Sequence, residues 1–263
     1  MSGAPKKSLG QHWLFDEQSL EAICDIAQIT KDDTVLEIGP GLGPLTVMLT
    51  ARAKQVIAVE LDEGLARKLP SRVPAANLTV VNGDILQFDL SQLPAGYKVV
   101  ANVPYYVTSA IVRMLLETPT KPARAVLLVQ KEVAERLAAV PGNMSVLAVS
   151  AQLYADVELG PVVPADRFDP PPKVDSQVVA LAVRPAPLFA GLDTKLFFRV
   201  VKAGFSEKRK TLRNSLSGGL ALPKGEAEAL LAAAGIAPAE RAERLSLDEW
   251  HGLAVQYQKI IAK

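Results

Sequence analysis

Short apolar runs rich in β-branched residues alternate with helical patterns through the first half of the chain, and no other property of the sequence limits the fold as strongly. The runs that predict strands are Thr34-Val-Leu-Glu-Ile, Val56-Ile-Ala-Val-Glu, Leu78-Thr-Val-Val, Val99-Val-Ala-Asn and Ala125-Val-Leu-Leu-Val. Helical patterns over 44–51, 63–69 and 109–116 lie among them. This alternation predicts an α/β fold with a doubly wound parallel sheet, which binds ligands at the carboxyl ends of its strands.

The pattern changes after Val183, where a Pro-rich joint begins. Beyond the joint only helices are predicted, over about 194–205, 207–216, 225–234 and 247–261. Ser246 with Glu249 forms a capping box for the last helix, and Gly218-Gly219 and Gly235 predict helix ends. We therefore predict an α/β domain over 1–184 and a small helical domain over 187–263.

Composition excludes several classes of protein. Of 263 residues, 49% are hydrophobic and 22% charged, so disorder is excluded as the main state. Cys24 is the only cysteine and the two histidines, His12 and His251, are far apart, so we predict neither a disulfide framework nor a metal site. The uncharged window 137–155 contains Pro, Gly and several polar residues, and predicts a loop and a buried helix rather than a membrane span. The first residues lack an apolar signal core, and we expect a cytoplasmic protein.

A glycine-rich loop follows the first predicted strand, with Gly39 and Gly41 in the sequence Glu-Ile-Gly-Pro-Gly-Leu-Gly over 37–43. Glycines at this point let a ligand approach the backbone closely. Glu60 and Asp84 end the next two strands, where carboxylates can accept the hydroxyls of a ribose and the amino group of an adenine. The alternative is that both carboxylates only cap turns. The G-x-G-x-G spacing differs from the G-x-G-x-x-G of dinucleotide enzymes and resembles the S-adenosylmethionine site of class I methyltransferases.

The fourth strand ends in Asn102-Val103-Pro104-Tyr105, which suits methylation of an amino group. The exocyclic nitrogen of adenine is a poor nucleophile because its lone pair is delocalised into the ring. The Asn102 side-chain carbonyl and a backbone carbonyl at Val103 or Pro104 can accept hydrogen bonds from the two N–H groups of the adenine amine. They can also stabilise the charge that develops on methylation. Tyr105 can hold the base by stacking.

At these motifs the sequence resembles the ribosomal RNA adenine N6-dimethyltransferases over essentially its whole length. The matching segments are 6–14, 37–43, 59–60, 83–85, 102–105, 168–176, 203–216 and 241–246. The resemblance implies a Rossmann-like class I methyltransferase sheet with a small C-terminal all-helical domain. It also implies S-adenosyl-L-methionine as cofactor and, as substrate, two adjacent adenosines near the 3′ end of 16S rRNA within an assembling small ribosomal subunit. We further expect a monomer that uses no metal and no membrane.

Residue by residue, the resemblance assigns cofactor contacts and a base-binding slot. The implied cofactor residues are His12, Leu14, Gly39, Gly41, Glu60, Asp84, Ile85 and Asn102. The implied catalytic residues are Asn102, Pro104, Tyr105 and Phe168. Tyr105 and Phe168 would sandwich the target adenine, although a phenylalanine in isolation is more often a core residue.

The sequence departs from the family pattern at three places. His12 stands where asparagine is common, Tyr106 replaces a smaller amide residue, and the stretch 138–143 looks shorter than the family's loop. The last departure affects one contact that faces RNA.

Basic residues are concentrated at the start of the predicted helical domain. The segment 195–213, called the basic segment below, has seven basic residues and one acidic residue, a local charge of +6, although the whole chain carries only +1. We predict that it binds RNA phosphates through Lys195, Arg199, Lys202, Lys208, Arg209, Lys210 and Arg213. The alternative is a solvated helix face.

Other functions remain open on the same fold. One is methylation of adenine in large-subunit rRNA or in DNA, against which the sequence 208–216 argues. A second is a non-catalytic ribosome-assembly or transcription factor, which would not need Asn102 or the glycine loop. A third is a nucleotide-dependent oxidoreductase, for which no site that could accept a hydride is evident.

Overall fold

The computed structural model describes residues 11–262. Two compact units divide the chain. The first contains the residues up to Glu135 together with Ala155–Pro185, and the second contains Arg136–Tyr154 together with the residues from Ala186 onward. The second unit thus includes 136–154, which the sequence division at 184–187 assigns to the first domain. The matching segment 6–10 lies outside the described residues.

The first unit is built on a seven-stranded sheet and a separate two-stranded one. The strands are β1 (Trp13–Leu14), β2 (Thr34–Ile38), β3 (Gln55–Glu60), β4 (Leu78–Asn82), β5 (Lys98–Asn102), β6 (Arg124–Gln130), β7 (Ala155–Val163), β8 (Phe168–Asp169) and β9 (Ser176–Val183). The large sheet has the order β4-β3-β2-β5-β6-β9-β7, and β1 pairs with β8. The five strands predicted from the sequence are β2 to β6, each found within two residues of its predicted bounds.

The sheet is parallel from β4 to β6, as predicted, but it does not end there. Strand β9 runs antiparallel to both β6 and β7, an arrangement that the sequence prediction did not include. The strand order reverses between β2 and β5, which pair with each other in parallel. Open α/β sheets bind ligands in the crevice at such a reversal, so the site is expected beside these two strands.

Five helices accompany these strands along the chain. They are α1 (Glu17–Ala27), α2 (Pro44–Arg52), α3 (Glu63–Arg72), α4 (Thr108–Glu117) and α5 (Lys131–Leu137). Helix α1 begins where the Asp16 carboxylate accepts the Ser19 N–H, and its apolar face buries Leu20, Ile23 and Cys24. This face joins the core under the sheet, with buried valines of β2, β5 and β6.

The second unit is helical. Its helices are α6 (Val146–Tyr154), α7 (Thr194–Gly204), α8 (Leu212–Leu220), α9 (Lys224–Ala233) and α10 (Leu247–Ile261). The capping box of Ser246 and Glu249 is present as predicted, and Gly235 follows α9 with a φ of +72°. The window 137–155 contains α6, and none of the helices within 11–262 is long and apolar enough to cross a bilayer.

Helix α8 differs from its prediction at both ends. It begins at Leu212 rather than near Glu207, because Thr211 is extended and the Leu212 N–H bonds to the Glu240 carbonyl at 2.7 Å. The predicted stop at Gly218-Gly219 is wrong, since both glycines lie inside the helix. A Cβ on Gly219 would lie 2.6 Å from the Cα of Ala203, so a glycine is needed there for close packing of α7 against α8.

Candidate functional site

A cavity open to solvent lies at the carboxyl ends of β2, β3 and β5. It collects all but one of the residues predicted for the cofactor and for catalysis. Those that line it are His12, Leu14, Gly39, Gly41, Glu60, Asp84, Ile85, Asn102, Pro104 and Tyr105. Residues far apart in the chain therefore meet at one site because parallel strands end at the same edge of the sheet.

The glycine loop is tied to the neighbouring strand. The Gly39 N–H donates to the Val59 carbonyl at 2.9 Å, and the Gly41 N–H donates to Oε2 of Glu60 at 3.0 Å. Gly41 has a φ of +59°, and a Cβ there would lie 3.1 Å from the ring of Trp13. A side chain at Gly41 would be strained by the positive φ and would also crowd this indole, so glycine is favoured there.

Glu60 organises the floor of the cavity. Its side chain is 5% exposed, and Oε1 accepts the Asp62 N–H at 2.9 Å while Oε2 accepts from Gly41. Burial raises the pKa of this carboxyl above its ordinary value, although both backbone hydrogen bonds favour the charged form. Each carboxylate oxygen has a second lone pair, so Glu60 retains capacity to accept ligand hydroxyls.

Asp84 stands at the end of the next strand and is partly exposed. Its Oδ1 accepts the Leu86 N–H at 2.9 Å, which caps the short helical turn at Ile85–Gln87. The turn-capping interpretation is thus correct for one oxygen of Asp84. The second oxygen has no hydrogen-bond partner in the part of the chain that is described, and the residue lines the cavity beside Ile85.

Glu37 also faces the cavity, and sequence reasoning did not assign it a role. It is 1% exposed, and its Oε2 has no hydrogen-bond partner within residues 11–262. Burial, followed by the nearby charge of Glu60, raises the pKa of Glu37 to about 8. Its position two residues before Gly39 is part of the motif by which the loop resembles an S-adenosylmethionine site, but the motif predicted no separate role for its side chain.

The Asn102–Tyr105 turn presents its acceptors in defined orientations. Nδ2 of Asn102 donates to the His12 carbonyl at 3.0 Å. This bond uses the nitrogen end of the amide and leaves Oδ1 as its acceptor. The Pro104 carbonyl accepts the Val107 N–H at 3.2 Å and is engaged in the turn. The amide of Asn102 is therefore held by the chain segment that forms one wall of the cavity.

Tyr105 is anchored at its hydroxyl. The Tyr105 hydroxyl is 2.7 Å from Oγ of Ser176, a fully buried residue at the start of β9. Burial raises the pKa of Tyr105, so the phenol remains neutral in the physiological range. The His12 ring stacks beside it with centroids 5.9 Å apart, and Nδ1 of His12 lies 2.7 Å from the Pro170 carbonyl.

Phe168 is the predicted site residue that the structure does not bring to the cavity. It is 4% exposed and belongs to the core cluster that also contains Leu14 and Leu20. The reason is the pairing of β1 with β8, in which Phe168 is opposite Leu14 and turns inward. The predicted sandwich of Tyr105 and Phe168 is not seen, and Phe168 instead supports the wall formed by β1.

In the second unit, six of the seven predicted RNA-binding residues are exposed and form no ion pair within the described chain. These are Lys195, Arg199, Lys202, Lys208, Arg209 and Lys210. Arg199 lies over the Tyr257 ring at 5.7 Å. Arg213 differs, because it is partly buried and donates to the Glu228 carboxylate at 2.7 Å. Across residues 11–262, no group of three or more metal-ligating side chains is arranged to hold an ion.

Comparisons with known proteins agree with this geometry. Residues 4–259 match the family described as "Ribosomal RNA adenine dimethylase". A "Ribosomal RNA small subunit methyltransferase A" of Dehalococcoides mccartyi is 44% identical over 256 residues, which cover 96% of this chain and 88% of that protein.

Solved structures show the same fold. The 23S rRNA methyltransferase ErmE has a TM-score of 0.77 and 31% identity, covering 94% of this chain and 99% of that one. A dimethyladenosine transferase from Plasmodium falciparum has a TM-score of 0.79 and 27% identity, covering 94% of this chain and 98% of that one. The predicted fold class and the resemblance stated from the motifs are both confirmed, and the chain belongs to the ribosomal RNA adenine dimethylase family.

Proposed function

We propose that this chain uses S-adenosylmethionine to dimethylate the N6 amino groups of two adjacent adenosines near the 3′ end of small-subunit (16S) rRNA. The substrate would be an assembling small subunit in the cytoplasm. The observation that carries the proposal is that one cavity holds two carboxylates suited to an adenosine and, beside them, the Asn102–Tyr105 turn. The name of the Dehalococcoides relative supports the small subunit as the target.

The donor set of the cavity fits this cofactor. Glu60 and Asp84 would accept from the ribose hydroxyls and the adenine amino group, and Gly39 and Gly41 would allow backbone contact. The buried, unpartnered oxygen of Glu37 supplies a further polar group at the same cavity. When bound, S-adenosylmethionine provides a methyl group on a cationic sulfur, which makes the methyl carbon electrophilic.

Asn102 would activate the target amine. An Oδ1 atom aimed at one N–H of the adenine amino group favours a more tetrahedral nitrogen and exposes its lone pair. The hydrogen bond from Nδ2 to the His12 carbonyl orients the amide before substrate arrives, so no reorganisation is needed during transfer. The same oxygen would stabilise the positive charge that the nitrogen carries before it loses a proton.

A backbone carbonyl would accept the second N–H. Two carbonyls are candidates, those of Val103 and Pro104. The Pro104 carbonyl accepts the Val107 N–H and has a second lone pair, so either carbonyl can accept this N–H. Tyr105 would stack on the flipped base, with its ring position maintained by Ser176. Stacking of this kind is worth about 1–3 kcal/mol per base.

The basic segment would bind rRNA backbone. Its exposed lysines and arginines have no ion-pair partners in the described chain, which leaves them available to phosphates. Arg213 is the weakest of these candidates because Glu228 already neutralises it.

The proposal is tested with labelled S-adenosylmethionine and immature small subunits from cells that lack the modification. Label in dimethyladenosine is the expected result, and a small-subunit preparation that stays unlabelled would contradict it. Large-subunit rRNA is the second arm, since ErmE, a 23S rRNA methyltransferase, is 31% identical. Label in that arm alone would show that the target is the large subunit.

A further inference from the structure

Tyr106 is the most exposed aromatic side chain among residues 11–262, at 65% exposure. It lines the cavity directly beside Tyr105. Tyr105 is held by Ser176 and stacked on His12, whereas the Tyr106 side chain has no hydrogen bond or ring contact within the described chain. An exposed aromatic ring at the edge of a binding cavity is available to stack on a nucleobase that lies there.

The local backbone separates the two rings. Tyr105–Val107 forms a turn of 3-10 helix, in which successive side chains point about 120° apart. The half-buried Tyr105 faces the cavity, so Tyr106 projects at the rim. A base that enters the cavity remains joined to its neighbours by phosphodiester bonds, so a neighbouring nucleotide must lie at the rim.

We propose that Tyr106 is a stacking platform for the nucleobase adjacent to the adenosine in the cavity. The inference rests on the proposed function, and under it this neighbour is the other adenosine of the pair. Stacking on a tyrosine accepts every base, since all bases have a π-face. Tyr106 therefore contributes affinity and holds the second target close to the cavity, without taking part in methyl transfer.

The first test compares variants on immature small subunits. Tyr106→Ala should raise KM for the subunit about fivefold to tenfold, the lower part of the range that stacking supplies, and leave kcat and the affinity for S-adenosylmethionine unchanged. Tyr106→Phe retains the ring and should match the unaltered protein. Val47→Ala removes a side chain that is 51% exposed on α2, and serves as the matched control.

The second test removes the nucleobase on which the Tyr106 ring would stack. Small subunits are assembled on rRNA with a synthetic 3′ segment in which one adenosine of the pair is abasic, in either order. On these particles the KM of the unaltered protein should be as high as that of Tyr106→Ala on intact particles. The KM of Tyr106→Ala should not rise further. The inference is overturned if Tyr106→Ala raises KM equally on intact and abasic particles, or if Tyr106→Phe behaves as Tyr106→Ala. Absence of methyl transfer by the unaltered protein on intact particles would instead refute the proposed function.

Discussion

Polar side chains are fixed by hydrogen bonds in the cavity of the first unit, whereas most of those of the basic segment in the second unit are exposed. In the cavity, Glu60 and Asn102 are each bound to backbone groups. In the basic segment, side chains such as Lys208 and Arg209 are exposed and form no ion pair within the described chain. A reaction needs groups at defined positions, whereas attraction to a polyanion needs only charge at the surface. Substitutions in the first region should therefore change rates, and those in the second should change salt-dependent affinity.

The largest effect is expected at Asn102. Asn102→Ala removes a preorganised acceptor, and methyl transfer should fall about 10²–10³-fold or more, by analogy with the loss of one group that stabilises developing charge. Binding of S-adenosylmethionine, measured by calorimetry, should remain nearly unchanged. A loss of cofactor affinity as large as the loss of rate would show that Asn102 acts mainly in cofactor binding.

Tyr105 should come next. Tyr105→Ala removes the stacking surface, and kcat/KM should fall about 5–150-fold. Tyr105→Phe keeps the ring and loses only the hydrogen bond to Ser176, so a fall of about 2–10-fold is expected. Ser176→Ala should match Tyr105→Phe, and the double variant should be no worse than either. Equal losses for Tyr105→Phe and Tyr105→Ala would argue against stacking.

The basic segment should show a smaller, salt-dependent effect. Arg209→Ala with Lys210→Ala should weaken binding to small subunits at moderate salt. It should also reduce the slope of log affinity against log salt by about 1.4, or about 0.7 for each phosphate contact. The matched control is Arg67→Ala with Lys68→Ala, a consecutive exposed basic pair on α3. Equal effects of the two pairs would mean that net charge alone matters.

The smallest effect on activity is expected at Glu37, where the consequence is a pH dependence of stability. The folded pKa of about 8 is above the ordinary value of 4.5, so the folded chain retains a proton that the unfolded chain releases. The contribution to stability is complete below about pH 4.5 and is lost as pH rises through about 8.

Glu37→Gln has no such proton, and it should remain close to the unaltered protein in activity at neutral pH. The difference in Tm between the unaltered protein and Glu37→Gln should therefore decline between pH 5 and 8.5, by about 2–4 °C for each kcal/mol lost. Parallel Tm curves for the two proteins would show that Glu37 is ionised in the folded state.

The predicted and observed elements differ where distant packing intervenes. Strands β2 to β6 were predicted because their apolar runs are bounded by polar turns. Strand β9 was not predicted, although most of it is an apolar run. Its antiparallel direction depends on pairing with β6 and β7, which no local pattern specifies. Residue 219 is a glycine inside α8 because the backbone of Ala203 approaches it closely. No local pattern reveals this contact.

The site shows the same division. The glycine loop 39–43, Glu60, Asp84 and the Asn102–Tyr105 turn were predicted from residue type and spacing, because each lies at the end of a strand in a sheet whose carboxyl ends meet. Phe168 was predicted at the site as well, whereas in the structure the pairing of β1 with β8 turns its ring into the core. The hydrogen bond from Asn102 to His12 joins residues 90 positions apart and could not be predicted from either neighbourhood.

The sequence alone determined the fold class, the family and the kinds of chemical group at the site, because strand periodicity, glycine spacing and the Asn-x-Pro-Tyr turn are local properties. Only the tertiary structure decided which of those groups face the cavity. It oriented the amide of Asn102, buried Glu37 with one oxygen unpartnered, placed Phe168 in the core and left Tyr106 exposed at the rim. Burial and orientation arise from contacts between segments remote in sequence, and residue type alone does not specify them.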